Sequence, residues 1–153
     1  MTDDPFQLAR FLDAQEPVYA AVCAELARGC KTTHWMWFIF PQIRGLGSSA
    51  TARWFAVSSL EEARAYLQHP VLGARLRECT RRVLASEGRT ARQIFGSPDD
   101  LKLRSCLTLF ALAGEQEPLF EAALRKYYGG EYDARTLGLL QGPRSADGPQ
   151  SAD

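Results

Sequence analysis

No stretch of this 153-residue chain holds the roughly 18 uninterrupted apolar residues that a membrane-spanning helix requires. Its start, Met1-Thr2-Asp3-Asp4, is acidic where a secretory leader is basic and then apolar. A cytoplasmic protein without membrane attachment is expected. Net charge is missing too. Eighteen basic residues balance 18 acidic ones, so no global field draws the chain onto nucleic acid or an anionic surface, and any such partner must be met by a local patch. Lysine is scarce, with Lys31, Lys102 and Lys126 standing beside 15 arginines. Guanidinium suits forked oxyanion recognition, although genome composition explains the same bias more cheaply. Cys-x-x-Cys pairs are absent: Cys23, Cys30, Cys79 and Cys106 are irregularly spaced. With 46% hydrophobic residues the chain can bury a core without disulfides or metal. Reduced, mostly buried thiols are expected, with no cofactor and no metal. Cys30 and His34 are four apart, but a zinc site normally brings a second close pair, and none is present.

Strand signals are thin, with no sustained period-2 alternation and few β-branched runs. What remains is helical punctuation. Ser59-Leu60-Glu61-Glu62 and Thr90-Ala91-Arg92-Gln93 fit the capping box. Ser97-Pro98-Asp99-Asp100 places a cap, a first-turn proline and two acids at a positive helix end, and Glu117-Pro118 opens another helix in the same way. Helical stripes follow these starts: Leu60, Ala63 and Leu67; Leu72, Leu76, Cys79 and Val83; Leu103, Cys106 and Phe110; Leu119, Ala123 and Tyr127. Gly88, Gly96, Gly114 and Gly129-Gly130 fall at or just after their ends. The expected fold is mainly α, a single compact helical domain over residues 1–141 with room for short irregular or extended segments. Residues 142–153 carry no large apolar side chain and read as a disordered tail.

One segment stands out for chemistry. His34-Trp35-Met36-Trp37-Phe38-Ile39-Phe40-Pro41 contains two of the three tryptophans and is apolar on every side, so it is expected to be buried as a central short helix or strand. Indole also stacks on flat ligands while its N–H supplies a directional donor, which makes Trp35 and Trp37 candidate pocket walls. Beyond Pro41, Gln42 and Arg44 precede Gly45, Gly47 and Ser48-Ser49. Two glycines permit positive φ and close backbone approach, a serine caps the next helix, and Arg44 adds charge, so an anion site is physically reasonable. The same residues also read as a tight turn with an ordinary N-cap, because the spacing matches neither a Walker loop nor a dinucleotide fingerprint. His34 is the candidate general acid or base; a satisfied core histidine is the plainer reading.

Two further constellations compete with it. On the helix from residue 98 to 113, Ser105 and Thr108 share a stripe with Leu101 and Leu112, so both hydroxyls face packed surface. Each either bonds back to the carbonyl one turn earlier or, with Lys102, contacts a ligand. Arg75, Arg77, Arg81, Arg82, Arg89 and Arg92 form the densest basic cluster. Glu78 and Glu87 interrupt it and no aromatic interleaves, so a solvated helix face suits it better than a nucleic-acid patch.

The run from Lys31 to Ser49, above all His34 to Gln42 with Gly45-Leu46-Gly47, resembles the bacterial family catalogued as domain of unknown function eighteen-ten. Glu62-Ala63 with Ala65-Tyr66-Leu67, His69-Pro70, Leu72-Gly73, Ile94-Phe95-Gly96, Pro98-Asp99, and Lys102 with Ser105 and Thr108-Leu109-Phe110 extend the likeness over most of residues 6 to 140. The resemblance implies a mainly helical, intracellular protein and brings no established activity. Where the family pattern has a second serine, this chain has Cys106. The functional expectation is therefore a protein that binds, and on one reading processes, a small anionic ligand such as a nucleotide or a nucleotide-derived metabolite. The contacts would come from Trp35, Trp37, Gln42, Arg44, Gly45, Gly47, Ser48, Lys102 and Ser105; were it an enzyme, His34 would act in hydrolysis or group transfer. The rival is a protein or RNA interaction module whose aromatic block is plain core. Neither composition nor pattern specifies an oligomeric state.

Overall fold

Helix α8 (Asp99–Ala113) dictates the arrangement of the rest. From Ser105 to Ala113 nearly every position is buried, the hydroxyls of Ser105 and Thr108 included. A helix with no solvent face has to be surrounded. It is surrounded by α5 (Leu60–Gln68), α7 (Ala91–Phe95), α9 (Leu119–Tyr128) and α10 (Ala134–Asp147). A second tier, α1 (Ala9–Gln15), α2 (Tyr19–Arg28), α3 (Met36–Ile39) and α6 (Leu72–Ala85), completes the core, with α6 packed on α2, α5 and α9. Short α4 (Ala50–Trp54) lies outside and buries none of its residues. The computed structural model describes residues 4–147, with side chains as far as Gln141. Among the described residues the regular structure is these ten helices and one parallel bridge, Ile43 to Val57, so the expected single compact helical domain is the observed one.

Local signals act where the sequence places them, with two shifts. Thr90 and Gln93 form the full capping box. Ser59 caps α5 through the Glu62 amide, but the Glu62 carboxylate turns to Ser58 and Arg10 instead of answering back. Pro98 and Pro118 sit at the N-caps of α8 and α9, one residue earlier than expected. At α8 the backbone supplies the acceptors: the Asp100 amide donates to the Gly96 carbonyl, and those of Leu101 and Lys102 to the Pro98 carbonyl. The Ser97 hydroxyl is thereby left without an amide to cap. Residues 142–147, where a tail was expected, continue α10; the rest of that tail, 148–153, lies outside the described residues.

Two buried carboxylates organise the periphery. Arg10 spends all five guanidinium donors, on the carbonyls of Phe6, Gln7, Trp54 and Ala56 and on Glu62 Oε2 at 2.9 Å. Glu62 also accepts from the Ser58 amide and hydroxyl, so the ion pair is saturated and locks α1 to the turn between α4 and α5. Glu25 on α2 accepts from the amides of Thr32 and Thr33, the Thr33 hydroxyl and the Trp35 indole. Burial alone raises its pKa. The hydrogen bonds outweigh it, that of the Thr33 hydroxyl first, and hold the carboxyl at about 2 against an ordinary 4.5.

Two outcomes follow for stability. Gly73 opens α6 against the end of α5, where a Cβ would stand 2.1 Å from the Leu67 carbonyl oxygen. Gly73→Ala should therefore cost about 1–3 kcal/mol in chemical denaturation, the range typical of overpacking. Because the pKa of Glu25 is lowered on folding, its contribution is complete above the ordinary carboxylate range and lost as pH falls from about 4.5 through about 2. Denaturation of wild type and Glu25→Gln should differ on the order of 2–3 kcal/mol at pH 7 and converge towards pH 2.

Candidate functional site

The aromatic block divides when it folds. Its single helical turn, α3, sends Trp35, Met36, Ile39 and Phe40 into the core and leaves Trp37 and Phe38 half-buried on the other side. Trp35 is 1% exposed, its ring lies 6.3 Å from those of Phe40 and Phe95, and its N–H goes to Glu25 Oε1 at 2.9 Å. With both its faces and its donor committed, Trp35 is core and not a pocket wall. Trp37 borders open space. So does the turn that follows it, because the bridge partners Ile43 and Val57 fold residues 42–57 back as a flap carrying α4.

Between this flap and the N-terminal half of α8 lies a cavity of about 530 Å³. Trp37, Gln42, Gly47 and Ser48 reach it from one side, Lys102 and Ser105 from α8, and Asp133 and Arg135 from the start of α10. The Lys102 ammonium stands 5.1 Å from the centre of the Trp37 ring and 3.3 Å from Asp99 Oδ1. Asp99 also holds Lys31 at 2.9 Å, and Lys31 lies 5.0 Å from the Trp35 ring centre. One carboxylate thus ties two ammonium groups, each over its own indole. Among the described lining residues three cations, Lys102, Arg104 and Arg135, stand beside one carboxylate, Asp133. Asp99, shared by Lys31 and Lys102, and Glu131 on Arg104 offset part of that charge and leave a small positive excess. Arg104 is held by Glu131 and the Tyr132 carbonyl. Arg135 has no hydrogen bond or ion pair among the described residues.

The hydroxyls have settled partners. Ser105 donates to the Leu101 carbonyl at 3.2 Å and Thr108 to that of Arg104 at 2.8 Å, the one-turn back-bonding expected of such residues. The Ser105 oxygen keeps acceptor capacity towards the cavity. Thr108 accepts from the Asp133 amide, and Asp133 Oδ2 accepts from the amide and hydroxyl of Thr136. Asp133 thereby caps α10 while lining the cavity, a placement its sequence neighbours did not signal. Cys106 is fully buried in the core, where burial raises its thiol pKa well above the ordinary value, so the departure from the family's second serine does not touch the cavity.

Besides Trp35, three sequence candidates lie elsewhere. His34 is exposed, outside the cavity. The Arg44 amide donates to Val57, extended backbone alternates its side chains, and while Ile43 lines the cavity Arg44 enters a different hollow. Gly45 takes the expected positive φ, +108°, but packs on Leu139. At Gly47 φ is not positive. The glycine is needed there because a Cβ would come within 2.7 Å of the Ala52 methyl, so its smallness admits the close approach of α4. Ser49, not Ser48, caps α4, through the Ala52 amide.

The family model described as protein of unknown function (DUF1810) matches residues 5–140. No curated protein matches the chain. Among solved structures, the crystal structure of the conserved hypothetical protein Rv1873 from Mycobacterium tuberculosis is similar, with a TM-score of 0.89 and 58% identity over 90% of this chain and 98% of that one. A model spanning the ten-helix core and a neighbour of this closeness place the protein in one group: the chain belongs to the DUF1810 family of proteins of unknown function.

Proposed function

We propose that the protein binds a small, flat, anionic ligand, a nucleotide or nucleotide-derived metabolite, in the cavity between the flap and α8. The observation that carries this reading is the convergence of Trp37, Gln42, Lys102, Ser105 and Arg135 on one electropositive hollow of about 530 Å³, within the size range of small-ligand sites. Lys102 and the unpaired Arg135 suit the anion, and the Trp37 wall suits a ring. Gln42, the free lone pair of Ser105 and Asp133 Oδ1 suit the edge of a base or the hydroxyls of a sugar. Arg135 takes the role expected of Arg44, which borders the other hollow. Among the described residues no histidine lines the cavity and Asp133 is the one carboxylate that does, so the reading is of binding first. Were chemistry to occur, Asp133 would be the base in place of His34.

The rival reading, an interaction module using the arginine-bearing helix, gains nothing from the geometry. Arg75 pairs with Glu16, Arg77 with Glu117 and Arg82 with Glu78, so most of that charge is neutralised within the chain.

A thermal-shift screen of nucleotides and phosphorylated metabolites should find a stabiliser. At a concentration about a hundredfold above Kd, binding to the folded state alone adds about 2.7 kcal/mol, or on the order of 5–10 °C for a domain of this size. Lys102→Ala and Trp37→Leu should each abolish most of that shift, and His34→Ala should leave it unchanged. A screen without any stabiliser, combined with RNA or protein that co-purifies and is lost on changing Arg77 and Arg81, would overturn the proposal in favour of the rival.

A further inference from the structure

The other side of the flap carries a second hollow, of about 310 Å³, bordered by Arg10, Arg44, Arg53, Trp54, Ser58 and Glu62. We infer that this hollow is a separate site for a phosphate monoester whose organic part is a flat ring. The inference is independent of the cavity beneath the flap.

Charge bookkeeping isolates the two residues that matter. Arg10 has no donor left, and its ion pair with Glu62 is saturated and almost wholly buried, side-chain exposures being 7% and 2%. These two form a neutral floor. Among the described residues Glu62 is the only carboxylate lining the hollow, and Arg10 already pairs with it, so within them the charges of Arg44 and Arg53 stand uncompensated above it. Arg44 makes no side-chain hydrogen bond or ion pair among the described residues, and Arg53 gives one donor to the Ser48 carbonyl, keeping four. Two guanidinium forks at one hollow match the three terminal oxygens of a phosphate monoester, where a carboxylate would occupy only one fork.

Trp54 supplies the ring preference. It is 54% exposed, on a surface where few large apolar side chains are, yet it is held firmly. Arg10 Nε binds its carbonyl at 2.7 Å, the Arg10 guanidinium lies 5.9 Å from its ring centre, and the Phe55 ring meets it edge-on at 6.4 Å. An indole fixed on the rim beside two guanidinium groups without a carboxylate partner among the described residues offers a stacking surface at low entropic cost.

The test is a titration of the full chain, ¹⁵N-labelled, with phenyl phosphate and with inorganic phosphate, following the Trp54 indole and the Arg44 and Arg53 Nε resonances. Saturable shifts of all three are expected, with phenyl phosphate binding about fivefold or more tighter than inorganic phosphate, the advantage a stacked ring provides. Arg44→Gln and Arg53→Gln should each weaken binding about tenfold or more, the loss expected for a charge-assisted bidentate contact. Arg44 holds nothing in the fold, so its replacement should leave the melting temperature unchanged. Trp54→Leu should erase the preference for phenyl phosphate while retaining inorganic phosphate. Lys102→Ala should change neither titration, and loss of the shifts in that variant would assign them to the other cavity. That result, non-saturating shifts, or shifts indifferent to Arg44→Gln would each overturn the proposal.

Discussion

The enclosure of α8 is the constraint on which the rest of the structure depends. A helix buried on nearly every side for its last nine residues needs neighbours all round, and α5, α7, α9 and α10 are positioned by that need. Enclosure ends at the first turn and a half, where Leu101 is exposed and Lys102 and Arg104 are half-buried. The candidate cavity forms there, walled by the flap of residues 42–57 on one side and by the start of α10 on another. Packing and site are one feature seen at the two ends of a single helix.

The buried carboxylates Glu25 and Glu62 are densely paired, and that makes the unpaired cations informative. Arg10 and Glu62 bind each other together with six backbone and hydroxyl groups, and Glu25 collects four donors, one of them the indole of Trp35. Such saturation fits buried charge, since an unmatched partner there is costly. Against it, Arg135 in the cavity and Arg44 on the outer face of the flap have no partner among the described residues. Both are on the surface, where water solvates a free guanidinium, and both border hollows. Unpaired cations over a concave wall are the electrostatic signature on which both proposed sites rest.

The flap joins these features. Its two ends are clamped by the Ile43–Val57 bridge, through Val57 N to the Gln42 carbonyl and Arg44 N to the Val57 carbonyl, each at 2.8 Å. Its single helical turn, α4, buries no residue and is held by the Ser49 cap, the fit of Gly47 against Ala52 and the grip of Arg10 on the carbonyls of Trp54 and Ala56. Extended backbone at the clamp sends consecutive side chains to opposite sides, so one flap serves two hollows.

Helix positions were legible in the sequence because caps and 3.6-residue stripes are local, and the stripes Leu72-Leu76-Cys79-Val83 and Ala63-Leu67 are buried as their spacing predicts. The back-bonding of Ser105 and Thr108 was legible for the same reason, being an interaction within one turn. The sequence also marked the segment from Trp35 to Ser49 and the polar residues of α8 as the places to look, and Trp37, Gln42, Lys102 and Ser105 do meet. It was silent on which member of an all-apolar block would be sealed, since that depends on Glu25, ten residues away, claiming the Trp35 indole. It was silent on Asp133 and Arg135, which follow the end of α8 by 20 and 22 residues, and on the turning-away of Arg44, which a bridge to Val57 decides. Local chemistry is written in neighbouring residues. Which side of a wall a charge occupies is fixed only when distant segments pair.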